Sequence, residues 1–148
     1  LERMQLVLKS RSIVSDFDLS QWPVAKGYVS SNFGMRKDPF NGKRRKHKGI
    51  DIAGPKGTAV MSIAAGRVVH SGRKGGYGLM VEVQHENNLT SRYAHLSAVL
   101  VKEGGQVSQG DLIGRIGSSG RSTGPHLHLE VLKDKKNVNP LNYLTKAK

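Results

Sequence analysis

Short runs of alternating hydrophobic and polar residues fill most of this chain, and glycine-rich turns separate them. The alternation has the two-residue period of a strand that buries one face and exposes the other. Eight segments fit this pattern, at residues 28–33, 59–64, 67–71, 79–85, 91–95, 106–107, 112–116 and 127–132. No long helical period runs through this part of the chain, so the pattern predicts an all-β fold.

The fold class follows from how these strands are joined. Turn sequences at 74–78, 86–88 and 103–105 are short enough for antiparallel neighbours. We therefore predict antiparallel sheets that form a two-layer sandwich or a partly open barrel with a groove. With 148 residues, one domain is expected.

The first residues of the chain follow a different pattern. Residues 1–12 fit a short helix or a helix end, and 13–26 fit a linker that leads into the domain through Trp22-Pro23. This places the N-terminal segment at 1–26 and the globular domain at 27–148. Because the chain begins at Leu1, we expect it to be part of a longer, exported protein.

Composition narrows the possible chemistry. The chain has no cysteine, which excludes disulfides, thiolate metal sites and cysteine nucleophiles. A metal would have to be held by histidine and carboxylate side chains. No apolar run approaches 18 residues, so we predict no membrane-spanning helix.

The net charge of +13 predicts attraction to polyanions. Part of this charge lies in residues 43–48, Lys-Arg-Arg-Lys-His-Lys, which fit either a solvated loop or a rim that attracts an anionic substrate. One tryptophan, four tyrosines and three phenylalanines are scattered along the chain. Because they form no stacking platform beside the basic residues, nucleic acid is not an expected partner.

Histidines and an aspartate mark the candidate chemistry. His47 and Asp51 lie four residues apart, His126 and His128 share one face of a predicted strand, and His95 lies between the two pairs. A hydrolytic zinc site needs three ligands of these types and an open position for water. Gly49, between His47 and Asp51, is expected to leave room for the metal.

The predicted strand around His128 has two distinct faces. Leu127, Leu129 and Val131 form a face that can enter the core, whereas His126, His128 and Glu130 form a face that can line a groove. Glu130 fits either a hydrogen-bond partner of a metal ligand or a surface carboxylate at a strand end. Two other histidines, His70 and His85, are expected to be structural or surface residues.

Four sequence blocks together resemble the lysostaphin/LytM-type zinc endopeptidases that cut bacterial peptidoglycan. The blocks are 31–36 (Ser-Asn-Phe-Gly-Met-Arg), 47–53 (His-Lys-Gly-Ile-Asp-Ile-Ala), 92–96 (Arg-Tyr-Ala-His-Leu) and 120–130 (Gly-Arg-Ser-Thr-Gly-Pro-His-Leu-His-Leu-Glu). The resemblance runs from about residue 28 to 144. A lone His-x-His is a weak signal, but this ordered set is specific.

The resemblance assigns a role to each candidate residue. It implies one zinc ion per chain, bound by His47, Asp51 and His128. His95 and His126 would be catalytic histidines that do not bind the metal. The implied function is hydrolysis of peptide crosslinks in peptidoglycan, with a preference for D,D-endopeptidase activity in the periplasm. A monomer is expected.

Two non-enzymatic alternatives compete with this function. Residues 101–114 are similar to the half-barrel repeat of biotinyl and lipoyl carrier domains, but the lysine-bearing hairpin tip of those domains is missing. The chain could also be a zinc-binding, non-hydrolytic module that binds the cell wall or regulates an amidase. The presence of both catalytic histidines argues against the second alternative.

Overall fold

The computed structural model describes residues 22–37, 44–117 and 124–144. The predicted helix at 1–12, most of the predicted linker and residues 120–123 of the last motif lie outside these ranges. In chain order the strands are β1 (Tyr28–Ser31), β2 (Gly34–Lys37), β3 (Arg44–His47), β4 (Ile50–Ala53), β5 (Ala59–Met61), β6 (Gly66–Arg73), β7 (Leu79–Gln84), β8 (Leu89–Val99), β9 (Gln106–Val107), β10 (Leu112–Ile116), β11 (His126–Lys133) and β12 (Lys136–Val138). Short 3-10 helices cover Gly75–Tyr77 and Pro140–Asn142.

Ten of these strands form one antiparallel sheet. Its main order is β9-β6-β7-β8-β11-β4-β1; β10 pairs with β5 and β8, and β12 pairs with β11. β2 and β3 form a separate two-stranded hairpin. The prediction of an antiparallel all-β fold is confirmed, and the sheet is open rather than closed into a barrel.

The alternating faces of β11 anchor this sheet to the core. Leu127 and Leu129 are fully buried and Val131 is 1% exposed, as the sequence pattern predicted. Burial of such a side chain typically contributes about 1.5–3 kcal/mol. The opposite face of the strand is thereby directed away from this apolar cluster, which is the condition for a polar site on the sheet.

The segment before β1 also contributes to the core. Val24 is buried and forms an isolated bridge with Val60 of β5, and Trp22 packs against the apolar cluster. The sequence pattern places both residues in the linker. Two apolar side chains in a short segment are too few to form a periodic pattern from which burial could be predicted. Tertiary packing of this segment therefore begins before Tyr28.

All eight predicted strand segments overlap observed strands, and four further strands were not predicted. β2 and β3 have the sequences GMRK and RRKH, whose dense charge hides any alternation. β4 and β12 are short; β12 pairs with β11, and β4 pairs with both β11 and β1. Within the described ranges, no helix has the length and apolar character needed to span a membrane.

Candidate metal centre

Three side chains that can bind a metal converge near the start of β11. The Nε2 atom of His47 lies 3.3 Å from Oδ2 of Asp51, and Nδ1 of His128 lies 2.8 Å from Oδ1 of the same carboxylate. One ligand atom from each residue lies within 4.8 Å of the other two. The structure thus brings together the three residues that the sequence motifs select as ligands.

Strand pairing accounts for this convergence. Asp51 on β4 and His128 on β11 are direct register partners, so their side chains leave the same face of the sheet side by side. On the other side of β11, the register partner of His128 is Ala94, whose side chain is small. His47 ends β3 opposite Gly34 and reaches the same point from the separate hairpin.

A backbone carbonyl and a carboxylate orient the two histidine rings. The Nδ1–H of His47 donates a hydrogen bond to the carbonyl of Asn32 at 2.8 Å, and the Nε2–H of His128 donates to Oε2 of Glu130 at 3.0 Å. In each ring the other nitrogen therefore faces Asp51. Asn32 acts here through its main-chain carbonyl, which no sequence motif could reveal.

The electrostatics of the cluster favour an ionised carboxylate. Burial alone would raise the pKa of Asp51, but hydrogen bonds from His128 and His47 outweigh it and hold this pKa far below its usual range. Burial would lower the pKa of His128, whereas its hydrogen bonds to Asp51 and Glu130 raise it to about 9. The ionised carboxylate of Asp51 is thus the negative charge that the rings of His47 and His128 both contact.

His126 and His95 lie directly beside the three candidate ligands. The Nδ1–H of His126 donates to the carbonyl of Gly124 at 2.9 Å, so its Nε2 atom faces the cluster, 3.7 Å from Oδ1 of Asp51. The ring centroid of His95 lies 5.2 Å from that of His126 and 5.9 Å from that of His128. All five residues singled out by the motifs are therefore in one place.

A bulge in β8 directs His95 toward the cluster. Val81 pairs with Tyr93 and Leu79 pairs with Leu96, so β8 contains one extra residue between these two pairs. His95 has a φ of +61°, a left-handed conformation that non-glycine residues seldom adopt. Strict alternation would send His95 into the core on the side of the buried Tyr93, and the bulge turns it to the opposite face.

The proposed reason for Gly49 was wrong. A Cβ atom built on Gly49 would lie only 2.1 Å from the carbonyl oxygen of Leu129 and 3.0 Å from Cγ of Glu130. Glycine is therefore required because β11 passes close to this backbone, and the space beside it is not available to a metal. The contact helps to hold His47 and Asp51 against the strand that carries His128.

The two remaining histidines lie outside the cluster, as predicted. His85 is buried, donates from Nδ1 to the carbonyl of Ala65 at 2.7 Å, and contacts the Ser91 hydroxyl through Nε2 at 2.7 Å. His70 contacts the carbonyl of Gly72. These contacts give both residues structural roles.

The donor set and its geometry fit a zinc ion. Two imidazoles and one carboxylate are a ligand set found in catalytic zinc sites, where a fourth position takes water. Each histidine presents one ring nitrogen to the cluster while its second nitrogen is held by an acceptor, which is the usual arrangement around zinc. His47, Asp51 and His128 are therefore the residues that would hold the ion.

An open antiparallel sheet with a His–Asp–His cluster and two adjacent histidines agrees with the resemblance to LytM-type zinc endopeptidases. The sequence profile of peptidase family M23 matches residues 45–140. The chain belongs to this family.

Known proteins similar to the chain include both hydrolases and an activator. The chain is 47% identical over 120 residues to the DD-carboxypeptidase/endopeptidase Mpg of Neisseria meningitidis, with 81% of this chain and 28% of that protein covered. It is 41% identical to the murein hydrolase activator NlpD of Salmonella dublin, with 84% of this chain and 31% of that protein covered. The names of these two relatives thus describe a peptidase and an activator of murein hydrolases.

A solved structure supports the same fold. A zinc-containing peptidase from Vibrio cholerae superimposes with a TM-score of 0.76 at 36% identity, covering 89% of this chain and 40% of that one. The chain thus spans less than half the length of each of these three proteins.

Proposed function

We propose that the chain is a zinc-dependent endopeptidase that hydrolyses the peptide crosslinks of bacterial peptidoglycan, with D,D specificity. The observation that carries this proposal is the meeting of five side chains from three parts of the sequence. Three of them present ligand atoms to one point, and the other two lie beside that point. The names of the Neisseria relative and of a Vibrio cholerae DD-endopeptidase, 42% identical over 123 residues, support the D,D specificity.

In this proposal His47, Asp51 and His128 hold the zinc ion. Zinc in such a site supplies Lewis acidity, which makes a water molecule more acidic and polarises a carbonyl group. The surrounding protein contributes the orientation of the ligands. The carbonyl of Asn32 and the carboxylate of Glu130 keep one nitrogen of each histidine directed at the site.

His126 is proposed as the general base. Its Nδ1 proton is held by the carbonyl of Gly124, so Nε2 carries the lone pair and faces the cluster. Nε2 would accept a proton from the attacking water and later deliver it to the amine that leaves when the peptide bond breaks. No covalent intermediate with the protein is required.

His95 is proposed to stabilise the oxyanion that develops on the scissile carbonyl. Its ring lies beside both His126 and His128, and only 7% of the residue is exposed. A hydrogen-bond donor in such a shielded place is more effective than the same donor in water. The uncommon backbone conformation that brings His95 here agrees with a functional role, because backbone strain is often found at active sites.

A non-hydrolytic regulator is the second candidate function. The observation that favours it is the 41% identity to an activator of murein hydrolases. A regulator needs a binding surface but has no chemical need for His95 and His126 beside a metal centre. We therefore favour the enzyme.

Defined crosslinked muropeptides provide the decisive experiment. The zinc-loaded chain should release the corresponding monomers, identified by mass spectrometry, and a chelator should stop the reaction. His95→Ala and His126→Ala should retain zinc but lose roughly 10²–10³-fold in rate, since oxyanion and acid–base contributions are each typically of that size. Absence of cleavage by the zinc-loaded wild type on every crosslink type would favour the regulator.

Residues 27–148 are proposed as the peptidase domain, with residues 22–26 attached to it through Val24. We also propose that the chain acts as a monomer in the periplasm, because its substrate is part of the cell envelope. Fractionation of cells that express the full-length protein, followed by immunodetection, would test this location.

A further inference from the structure

Glu130 is a buried carboxylate on the same strand as His128. It is 1% exposed, so the alternative of a surface carboxylate is wrong. Its oxygens accept from Nε2 of His128 at 3.0 Å, from the Tyr77 hydroxyl at 3.2 and 3.3 Å, and from Nη1 of Arg92 at 3.2 Å. A buried carboxylate is stable only with such partners, and three different elements supply them here.

Arg92 links Glu130 to a second carboxylate that does not contact the candidate ligands. The Nε atom of Arg92 lies 3.4 Å from Oε1 of Glu82. Glu130, Arg92 and Glu82 are register partners on β11, β8 and β7, so they form one row across three adjacent strands. The row is attached to the sheet at each position, and only its Glu130 end reaches His128.

Tyr77 closes the other side of Glu130. It ends the 3-10 helix of the connection between β6 and β7, and its ring centroid lies 6.3 Å from that of His128. Its hydroxyl can bond to Glu130 only if this connection lies over the sheet. The connection between β6 and β7 therefore takes part in fixing the carboxylate.

We propose that Glu130 is a positioning residue for the metal centre, held in place by Tyr77 and Arg92, and that it orients His128 and strengthens it as a metal ligand. A carboxylate that accepts the N–H of a ligating histidine fixes the ring and increases the electron density at its other nitrogen. The negative charge of Glu130 balances the charge of Arg92 on one side and increases the basicity of His128 on the other. This inference rests on the proposed function, because it presupposes that His128 binds zinc.

A structural ion pair with Arg92 is the competing explanation for Glu130. The row of charges offers a matched control, because Glu82 is also a carboxylate paired with Arg92 on this face. Glu130→Gln and Glu82→Gln make the same chemical change at the two ends of Arg92. Only the first change alters the hydrogen bond to His128.

Zinc affinity, measured by competition with a chromophoric chelator, separates the two explanations. We expect Glu130→Gln to bind zinc about 10- to 100-fold more weakly than wild type, which is the usual loss when such a partner of a ligand is removed. Glu82→Gln should bind zinc as wild type does. Equal affinity of wild type and Glu130→Gln, or equal losses in both variants, would overturn the proposal.

A spectroscopic readout addresses ring orientation directly. In the cobalt-substituted chain, the Nε2–H of His128 should give a paramagnetically shifted proton signal that exchanges slowly with water, because Glu130 accepts it. The signal should persist in Glu82→Gln and exchange rapidly in Glu130→Leu, because leucine has no acceptor for this proton. An unchanged signal in folded Glu130→Leu would contradict the orienting role.

Two further outcomes are also decisive. If Glu130→Gln does not fold, Tyr77→Phe is tested in its place, because this change removes one hydrogen-bond donor to Glu130 and keeps the aromatic ring. The zinc affinity of Tyr77→Phe should be lower than that of Glu82→Gln. Equal zinc affinities of these two variants would refute the proposal. If wild type itself binds no zinc, the proposed metal centre fails. Tight binding by wild type and by all variants would refute only the role of Glu130.

Discussion

The backbone at His95 provides a quantitative test of how the bulge in β8 is stabilised. His95 has a φ of +61°, where a Cβ atom costs roughly 1–2 kcal/mol relative to glycine. Glycine also gives the unfolded chain more freedom, which costs about 0.4–1 kcal/mol. The difference predicts that His95→Gly has a free energy of unfolding roughly 0.5–1 kcal/mol greater than His95→Ala. Both variants lose the imidazole, so their comparison isolates the backbone.

Thr90, on the same strand, is the matched control. It pairs regularly with Gln84 and Leu132 and is not among the described non-glycine residues with positive φ. At such a strand position alanine should be more stable than glycine by about 0.5–1 kcal/mol, the reverse of the order at residue 95.

Urea unfolding of the four variants, followed by circular dichroism in the presence of a chelator, measures both differences. The chelator removes any stabilisation by bound metal. The refuting result is the same order at both positions, with alanine more stable than glycine at residue 95. That result would mean that the bulge relaxes when the imidazole is absent, and that the side chain imposes the conformation.

Three further predictions concern the metal, pH and charge. His128→Ala should lose the single zinc ion after dialysis, because the two remaining ligands cannot complete a tetrahedral site. The control variant His70→Ala should retain the ion. Full zinc content of His128→Ala by elemental analysis would contradict the ligand assignment. Burial lowers the pKa of His85 below 6.5, so its contribution to stability is complete above about pH 6.5 and is lost as the pH falls toward the lower folded value. Urea titrations should therefore show that, as the pH falls through this window, the free energy of unfolding of wild type decreases by up to about 1.4 kcal/mol per pH unit more than that of His85→Gln. Parallel dependences of the two free energies on pH would exclude a neutral buried His85. Replacing the four basic residues that precede His47 by glutamine should weaken binding to sacculi at low salt, and the difference in binding from wild type should shrink as salt rises. Cleavage of a small uncharged crosslinked peptide should not change. Equal pull-down of the variant and wild type with sacculi at low salt would show that the segment is merely solvated. The replaced residues are Lys43, Arg44, Arg45 and Lys46.

Local periodicity was sufficient to predict most of the strands that build the core, with the exception of β4, whose Ile50 and Ile52 are fully buried. β11 illustrates this, because the alternation of Leu127, Leu129 and Val131 with polar residues is itself the condition for burying one face. The hairpin of β2 and β3 could not be predicted in this way. Its sequences, GMRK and RRKH, show no apolar alternation, and its strands are defined by their pairing with each other.

The amino-acid sequence by itself determined which residue types were available for the chemistry and in what order. The absence of cysteine left histidine and carboxylate ligands, and the motifs around His47, His95 and His128 were specific enough to indicate the family. These are properties of side-chain chemistry and short spacing, which are present in the chain before it folds.

Only the tertiary structure decided how those residues meet. The register between β4 and β11 puts Asp51 beside His128, and the bulge in β8 turns His95 to the same face. The close approach of β11 explains Gly49. Contacts from Arg92 on β8 and from Tyr77 in the connection between β6 and β7 hold Glu130 as a buried partner of His128. Each of these features depends on residues far apart in the sequence, and local patterns carry no information about the distances between them.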